Sequence, residues 1–469
     1  MISFFNTLTR QKEEFIPLHP GQAGVYGCGP TVYWFAHIGN MRRFLFEDVL
    51  VRSLAYNSFQ VKHIINITDV GHLVGDGDDG EDKMLTAMRR EGKTAYEIAE
   101  FYTQTFFQDL KWLNIISADV YPKATEHITE QIAMVRTLEA KGYTYHTSDG
   151  IYFDTSKLPE YGRLSGQKIE EKMGGARVDM GEKKSVSDFA LWKFSYSNGR
   201  SFDPAQDDVV KQRQMEWESP WGDGFPGWHI ECSAMAKKYL GVPFDIHTGA
   251  IDLIPVHHEN EIAQTSGADD VLEANIWMHA EFLTVGGGKM SKSLGNLYTV
   301  EDLIQKGYDP LAYRYLVLQA HYRTKLDFTF EALEAAQNAL HRLYNIVREW
   351  DAPTVDCTKY EERFLQAIND DLNTSQALAI MWEMVGDTTL PSSARAQSLL
   401  LFDKVFGLQL EKYVGQPLEI PVEIQELAKK REQARKEKKW EESDRLRAEI
   451  ELSGFVVEDT TEGSKVRTQ

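Results

Sequence analysis

The sequence predicts an α/β protein: a domain built on a parallel sheet and split by an insertion, then an α-helical bundle and a small C-terminal segment. Over the first hundred residues short apolar runs alternate with stretches that are apolar at helical spacing, as strands and crossover helices do in a parallel sheet. Residues near 115 to 215 are more polar and end in the charged stretch Asn198 to Asp208 before the earlier pattern resumes. From Glu331 onward the period is helical, with Leu333, Ala336, Leu340, Leu343 and Val347 on one stripe. A second helix pair is expected in 361–410. A chain of 469 residues can form about two to four such domains, and no repeat marks a solenoid.

Taken in order, Val25-Tyr26-Gly27-Cys28 ends a first strand in a turn broken by Gly29 and Pro30. A helix over Arg43 to Tyr56 follows, apolar at Phe46, Val49, Leu50 and Leu54. A second strand, Val61 to Asp69, ends in polar residues. Ligands of such sheets collect beyond the carboxyl ends of the strands, which puts Cys28 and Thr68 in one crevice. Past the insertion come the strand-like Phe244-Asp245-Ile246-His247, then Asp252, then a helix carrying His257 and Glu261. Phe282 to Val285 is a strand leading into Gly286-Gly287-Gly288-Lys289-Met290-Ser291-Lys292-Ser293.

The net charge of -20 argues against binding nucleic acid over the whole surface, because phosphate affinity comes from Lys and Arg. One local basic patch stands out, Lys429 to Trp440, read as a Lys/Glu-rich helix that is either a solvated face or a nucleic-acid contact. Three cysteines, with Cys357 apart from the others, speak for a reducing compartment rather than a disulfide framework. The start lacks a basic region followed by an apolar run, and no stretch approaches the roughly 18 apolar residues of a membrane span. A cytoplasmic location is expected.

Two strings carry phosphate chemistry. His37-Ile38-Gly39-Asn40, at the start of a helix, can bring an imidazole and backbone N–H groups to phosphate oxygens. The glycine-rich loop with Lys289 and Lys292 can close over a polyphosphate and neutralise departing charge. Cys28, Cys232, His257 and Glu261 are residue types that bind zinc, and the last two share a helical face. Singly, each has an ordinary reading: a lone cysteine is commonly a buried small hydrophobe, and a His/Glu pair at helical spacing a solvated face. Spacing alone does not decide between these readings.

Together these strings resemble the class I aminoacyl-tRNA synthetases and, among them, the cysteinyl-tRNA synthetase family. The resemblance runs nearly end to end, through Cys28 to Tyr33, Asn66 to Val70, Gly227 to Met235, Asp252 to Gln264, the lysine loop, Ala320 to Arg323 and Asn369 to Thr374. It implies a Rossmann-like catalytic domain and one zinc ion per chain, held by Cys28, Cys232, His257 and Glu261 against the substrate thiol. It implies substrate-binding positions at Gly29, Thr31, Thr68 and Trp228, and at Asp252 beside the adenosine ribose. His37, Asn40, Lys289 and Lys292 would act on ATP, which enters with Mg²⁺. The implied reaction activates L-cysteine with ATP to cysteinyl-adenylate, releasing diphosphate, and passes the cysteinyl group to the 2′-hydroxyl of tRNA(Cys), releasing AMP. Zinc prefers a thiolate to the hydroxyl of serine, so no editing domain is needed.

The resemblance divides the chain into a first catalytic half (1–114), a connective insertion (115–216), a second catalytic half (217–300), a stem-contact helical region (301–350), a helical bundle (351–415) and an anticodon-binding end (416–469). A monomer is expected. Several positions depart from the family pattern: Asn40 replaces a second histidine, Gly71 to Gly80 is extra and shifts an Asp-Lys pair to Asp82-Lys83, Thr248-Gly249-Ala250 replaces a run of glycines, and 198–214 is long. The acidic 71–80 stretch has Glu81 where a calcium loop needs glycine, so it reads as a solvated loop. Two alternatives stand beside the main reading: a cysteine:amine ligase of the mycothiol-synthesis type, which lacks the tRNA-reading end, and a non-catalytic zinc- and tRNA-binding paralogue.

Overall fold

The computed structural model describes residues 1–71, 83–166, 182–196, 213–288, 290, 295–355, 357–460 and 463–468. These form two compact units: Met1–Gln305 with Ala320–Phe328 and Ala367–Asn373, and Lys306–Gln319 with Thr329–Gln366 and Thr374–Gln469.

In the first unit β1 (Ser3–Asn6) and β2 (Gln11–Glu14) make an antiparallel hairpin. Next come β3 (Gln22–Gly27), α1 (Ile38–Tyr56) and β4 (Gln60–Ile65), a strand-helix-strand unit with parallel strands, followed by α2 (Lys83–Glu91) and α3 (Ala95–Trp112). The insertion contributes α4 (Ile128–Ala140) and an antiparallel sheet of β5 (Thr144–Thr147), β6 (Gly150–Phe153), β7 (Phe189–Phe194) and β8 (Gly224–Pro226). Despite its polar composition it has an apolar core, in which Trp192, Phe153 and Phe189 are buried together with Ile230 and Ala263. Its sheet closes with β8, beyond residue 216. The acidic 71–80 stretch from residue 72 on, and most of the 198–214 stretch, lie outside the described residues.

Then α5 (Trp228–Leu240) leads to β9 (Phe244–Ala250), α6 (Glu259–Asp269) and β10 (Ala274–Ala280). The central sheet is all parallel in the order β10-β9-β3-β4. β10 has no counterpart in the sequence reading. Ala-Asn-Ile-Trp-Met-His-Ala is buried nearly throughout, and such a run lacks the alternation that marks a half-exposed strand. The expected strand before the lysine loop, β11 (Leu283–Val285), instead pairs in parallel with β12 (Leu326–Phe328) as a separate ribbon, and α7 (Val300–Gln305) follows the loop. Tyr26, Phe244 and Trp277, on three adjacent strands of this sheet, are almost fully buried, and each large apolar side chain contributes up to about 1.5–3 kcal/mol.

From β3 the chain crosses one way to β4, while its other neighbour is β9, whose own crossover leads to β10. Between β3 and β9 the sheet therefore has its topological switch point, where the two crossovers part and leave a crevice at the carboxyl ends. Cys28 follows β3 directly, and His257 and Glu261 follow β9.

The second unit is helical: α8 (Pro310–Leu318), α9 (Phe330–Val347), α10 (Thr358–Asn369, its last turn grouped with the first unit), α11 (Thr374–Gly386) and α12 (Ser392–Phe406). Leu333, Ala336, Leu340, Leu343 and Val347 of α9 are all buried, as the stripe requires. The chain ends with α13 (Val422–Lys436), α14 (Trp440–Leu452) and a hairpin of β13 (Phe455–Thr460) and β14 (Gly463–Thr468), around Ile424, Ala428, Ile450, Val457 and Val466. The basic patch expected as one helix is thus two. Lys438 takes a positive φ of 59° between them, and Arg431 is buried against Asp459 rather than presented outward.

Candidate active site

At the head of α1, His37 is the N-cap in extended conformation. Its Nδ1 accepts from the Asn40 N–H at 3.2 Å, and Asn40 Oδ1 accepts from the His37 N–H at 3.0 Å. This reciprocal capping box explains how asparagine serves at position 40: the amide supplies the return bond. Because Nδ1 is an acceptor, the imidazole hydrogen belongs on Nε2. Burial holds the ring's pKa down at about 4, so His37 is a neutral donor at neutral pH. Gly39 is the close-approach position, since a Cβ there would lie 2.2 Å from Met290 Cε. Met290 is thus brought over the histidine string. Lys289 and Lys292 lie outside the described residues.

The loop itself is prepared by glycines. Gly286 and Gly287 take positive φ of 57° and 76°, and the Gly287 N–H and Thr284 hydroxyl both donate to Asp327 Oδ1.

At the switch point the ligand atoms of Cys28, Cys232, His257 and Glu261 all lie within 4.8 Å of one another, and all four residues are buried. His257 sits in a π-helical turn, Ile254–His258, that runs into α6. The turn keeps it over Glu261, Nε2 to Oε1 at 2.8 Å. Burial by itself would lower His257, but Glu261 and Cys232 outweigh it and push the ring up to about 10. Burial would likewise raise Glu261, yet His247 and His257 hold the carboxylate down at about 2. Cys28 is raised, chiefly by burial, while Cys232 is lowered, chiefly by the hydrogen bond from Cys28. The cysteine pair therefore favours a thiolate on Cys232.

A second set, Cys28, His247, His258 and Glu261, meets the same distance limit. His258 Nε2 is 3.2 Å from Cys28 Sγ, and its Nδ1 is 2.8 Å from His279 Nε2. His247 Nε2 contacts Glu261 Oε2 at 2.7 Å, and the nitrogens Nδ1 of His229 and His257 are 2.9 Å apart. Sequence reasoning did not single out His229, His247, His258 or His279. The only signal was the density of histidines in and around two motifs. Gly249 is required here, because a Cβ would lie 2.4 Å from His258 Cε1. Thr248, which departs from the glycine run, donates to the buried Glu47.

Of the remaining expected positions, Gly29 adjoins Cys28 and Trp228 packs against His257. Trp228 opens α5, with its ring 4.6 Å from that of His257 and 5.6 Å from Lys83 Nζ. Thr31 bridges Thr68 in parallel, so the chain ends beyond β3 and β4 stay paired. A Cβ on Gly29 would fall 1.4 Å from Asn66 O. Thr68 is buried and its hydroxyl donates to Glu231 Oε2 at 3.0 Å. Asp252 is exposed in a 3₁₀ turn just past β9. The site therefore offers a soft, buried donor set, a neutral imidazole donor on a helix N-terminus and a polar pocket wall in one crevice.

The tRNA synthetases class I (C) catalytic domain family matches residues 14–338, the DALR domain 363–390, and the cysteinyl-tRNA ligase anticodon binding domain 419–467. The chain is 48% identical to cysteine–tRNA ligase 1 of Burkholderia lata, over 99% of this chain and 96% of that protein. It is 41% identical to cysteine–tRNA ligase of Treponema denticola, over 98% of each. Among solved structures it is similar in fold to Mycobacterium tuberculosis methionyl-tRNA synthetase bound by methionyl-adenylate. There the TM-score is 0.59 at 15% identity, covering 84% of this chain and 93% of that one. With a switch-point crevice, a capped histidine helix and full-length relatives in hand, the chain belongs to the cysteinyl-tRNA ligase family of class I tRNA synthetases.

Proposed function

We infer that the protein is a cysteine–tRNA ligase that activates L-cysteine with ATP and transfers it to tRNA(Cys). The observation that carries the reading is the meeting of Cys28, Cys232, His257 and Glu261 in the crevice that also receives the His37 helix.

The donor chemistry fits zinc: two sulfurs, an imidazole and a carboxylate, buried and close enough to share one ion. Of the two overlapping sets, the one with both cysteines suits zinc better, leaving His247 and His258 to orient Glu261 and Cys28. When bound, zinc supplies a Lewis acid that favours a substrate thiolate over a hydroxyl. The chain's own residues do the rest. Trp228, Gly29, Thr31 and Thr68 wall the amino-acid pocket and exclude water from it. His37 donates from Nε2 to a phosphate oxygen of ATP, while Asp252 accepts from the ribose. As the cysteine carboxylate attacks the α-phosphorus and pyrophosphate leaves, Lys289 and Lys292 neutralise the growing charge and Asn40 holds His37 in place. Mg²⁺ enters with ATP, and the terminal 2′-hydroxyl of the tRNA then takes the acyl group from the adenylate, with AMP leaving.

The match of the C-terminal end to an anticodon-binding domain supports tRNA, rather than a small amine, as acceptor. The test is ATP–pyrophosphate exchange on the purified protein with cysteine or serine, then charging of tRNA(Cys). Exchange with cysteine alone is expected. Equal exchange with serine, or none with cysteine when zinc is bound, would refute the reading.

A further inference from the structure

A chain of hydrogen bonds joins the two sides of the thiol site. The Gly29 N–H, next to Cys28, donates to Asn66 Oδ1 at 2.7 Å; Asn66 Nδ2 donates to Thr68 Oγ1 at 3.1 Å; and the Thr68 hydroxyl donates to Glu231 Oε2 at 3.0 Å. Glu231, next to Cys232, is 0% exposed. The polarity of the chain is forced. A backbone N–H can only donate, so the amide oxygen of Asn66 must face Gly29 and its NH₂ must face Thr68. One lone pair of Thr68 is thereby taken, and the hydroxyl hydrogen must find an acceptor, which Glu231 provides. Among the described residues these are the side-chain partners of the hydroxyl, so what Thr68 has left to offer is a second lone pair.

We propose that Glu231 is a positioning residue that locks Thr68 as a hydrogen-bond acceptor, so that this corner of the site reads the α-ammonium of the thiol substrate. Three bonds separate the sulfur of cysteine from its α-nitrogen, so a molecule whose sulfur lies at the Cys28–Cys232 cluster carries its nitrogen into the neighbourhood of residues adjoining those ligands. An acceptor there, backed by a buried carboxyl, attracts an ammonium and repels a carboxylate. Without Glu231 the hydroxyl could turn its hydrogen toward the substrate and would no longer tell the two groups apart.

The inference rests on the thiol amino-acid reading above, and its test separates the two. Zinc-loaded wild type, Glu231→Ala and Thr68→Val are titrated calorimetrically with L-cysteine, with cysteamine (thiol and amine) and with 3-mercaptopropionate (thiol and carboxylate), and bound zinc is counted in each. Glu231→Ala should weaken L-cysteine and cysteamine by about tenfold or more while leaving 3-mercaptopropionate and zinc content unchanged. Thr68→Val should give the same pattern, and the double variant should lose no more than either alone. Equal weakening of all three ligands, or none, would overturn the proposal. Failure of the wild type to bind L-cysteine would overturn the underlying reading as well. A Glu231→Ala protein that does not fold leaves Thr68→Val to decide by the same ligand pattern.

Discussion

Removing the carboxylate of Glu47 should strip protection from the strands that carry the site. Glu47, on α1, is 1% exposed and accepts from three groups: His63 Nε2 at 2.6 Å on β4, Thr248 Oγ1 at 2.7 Å on β9, and Arg43 Nη1 at 3.1 Å. It comes so close to β3 that a Cβ on Gly27 would lie 2.1 Å from its Oε1. One side chain thus ties the helix to three parallel strands. In Glu47→Ala the guanidinium of Arg43, 6% exposed and with Nη2 already lacking a partner among the described residues, becomes a buried charge without a counter-ion. Loss of one member of such a pair costs about 3–5 kcal/mol. Amide hydrogen exchange in β3, β4 and β9 should then quicken by roughly 10² to 10⁴-fold. Glu47→Gln keeps the volume and an acceptor and should lose less, about 1–3 kcal/mol.

Acid offers a second readout of the same network. Burial would raise Glu47, but Arg43 and His63 overcome it and hold its pKa below the ordinary 4.5. A carboxylate so depressed stabilises the fold fully above its unfolded pKa, and that stability fades as pH falls through the depressed value. The two variants should lack this acid-dependent component. A loss below about 1 kcal/mol in Glu47→Ala, with exchange in the three strands unchanged, would refute the argument that the pair is buried and mutually dependent.

Three further outcomes follow from the geometry. Gly29→Ala must push apart the segments beyond β3 and β4, because its Cβ would fall 1.4 Å from Asn66 O; cysteine-dependent pyrophosphate exchange should drop by about 10²-fold or more. Cys232→Ser removes a sulfur donor from the four-residue cluster, so zinc measured by elemental analysis should fall below one per chain, and chelation of the wild type should abolish cysteine-dependent exchange. Ile450→Ala empties the centre of the small C-terminal cluster and should destabilise that part by about 2–5 kcal/mol, lowering tRNA charging while tRNA-independent exchange persists.

What could be read without coordinates was whatever short strings of sequence carry by themselves. The His37 string opens a helix, the Leu333 to Val347 stripe is one buried face, and Cys28 and Thr68 fall past the ends of parallel strands, because caps, periodicity and strand ends are local properties. Other features depended on partners distant in the chain. β10 is legible as a strand only beside β9, since a run buried on both faces has no period to betray it. The basic run from Lys429 looks continuous in one dimension, and only the packing of Arg431 against Asp459 and the turn at Lys438 divide it. Adjacent His257 and His258 are interchangeable on paper. It is the π-helical turn that sends one to Glu261 and Cys232 and the other to Cys28 and His279, because a single residue's rotation about a helix axis is set by the backbone the whole fold imposes. The residue types determined the chemistry on offer; the tertiary structure decided which atoms meet, since hydrogen bonds and shared ligands depend on distances that only packing across the sheet establishes.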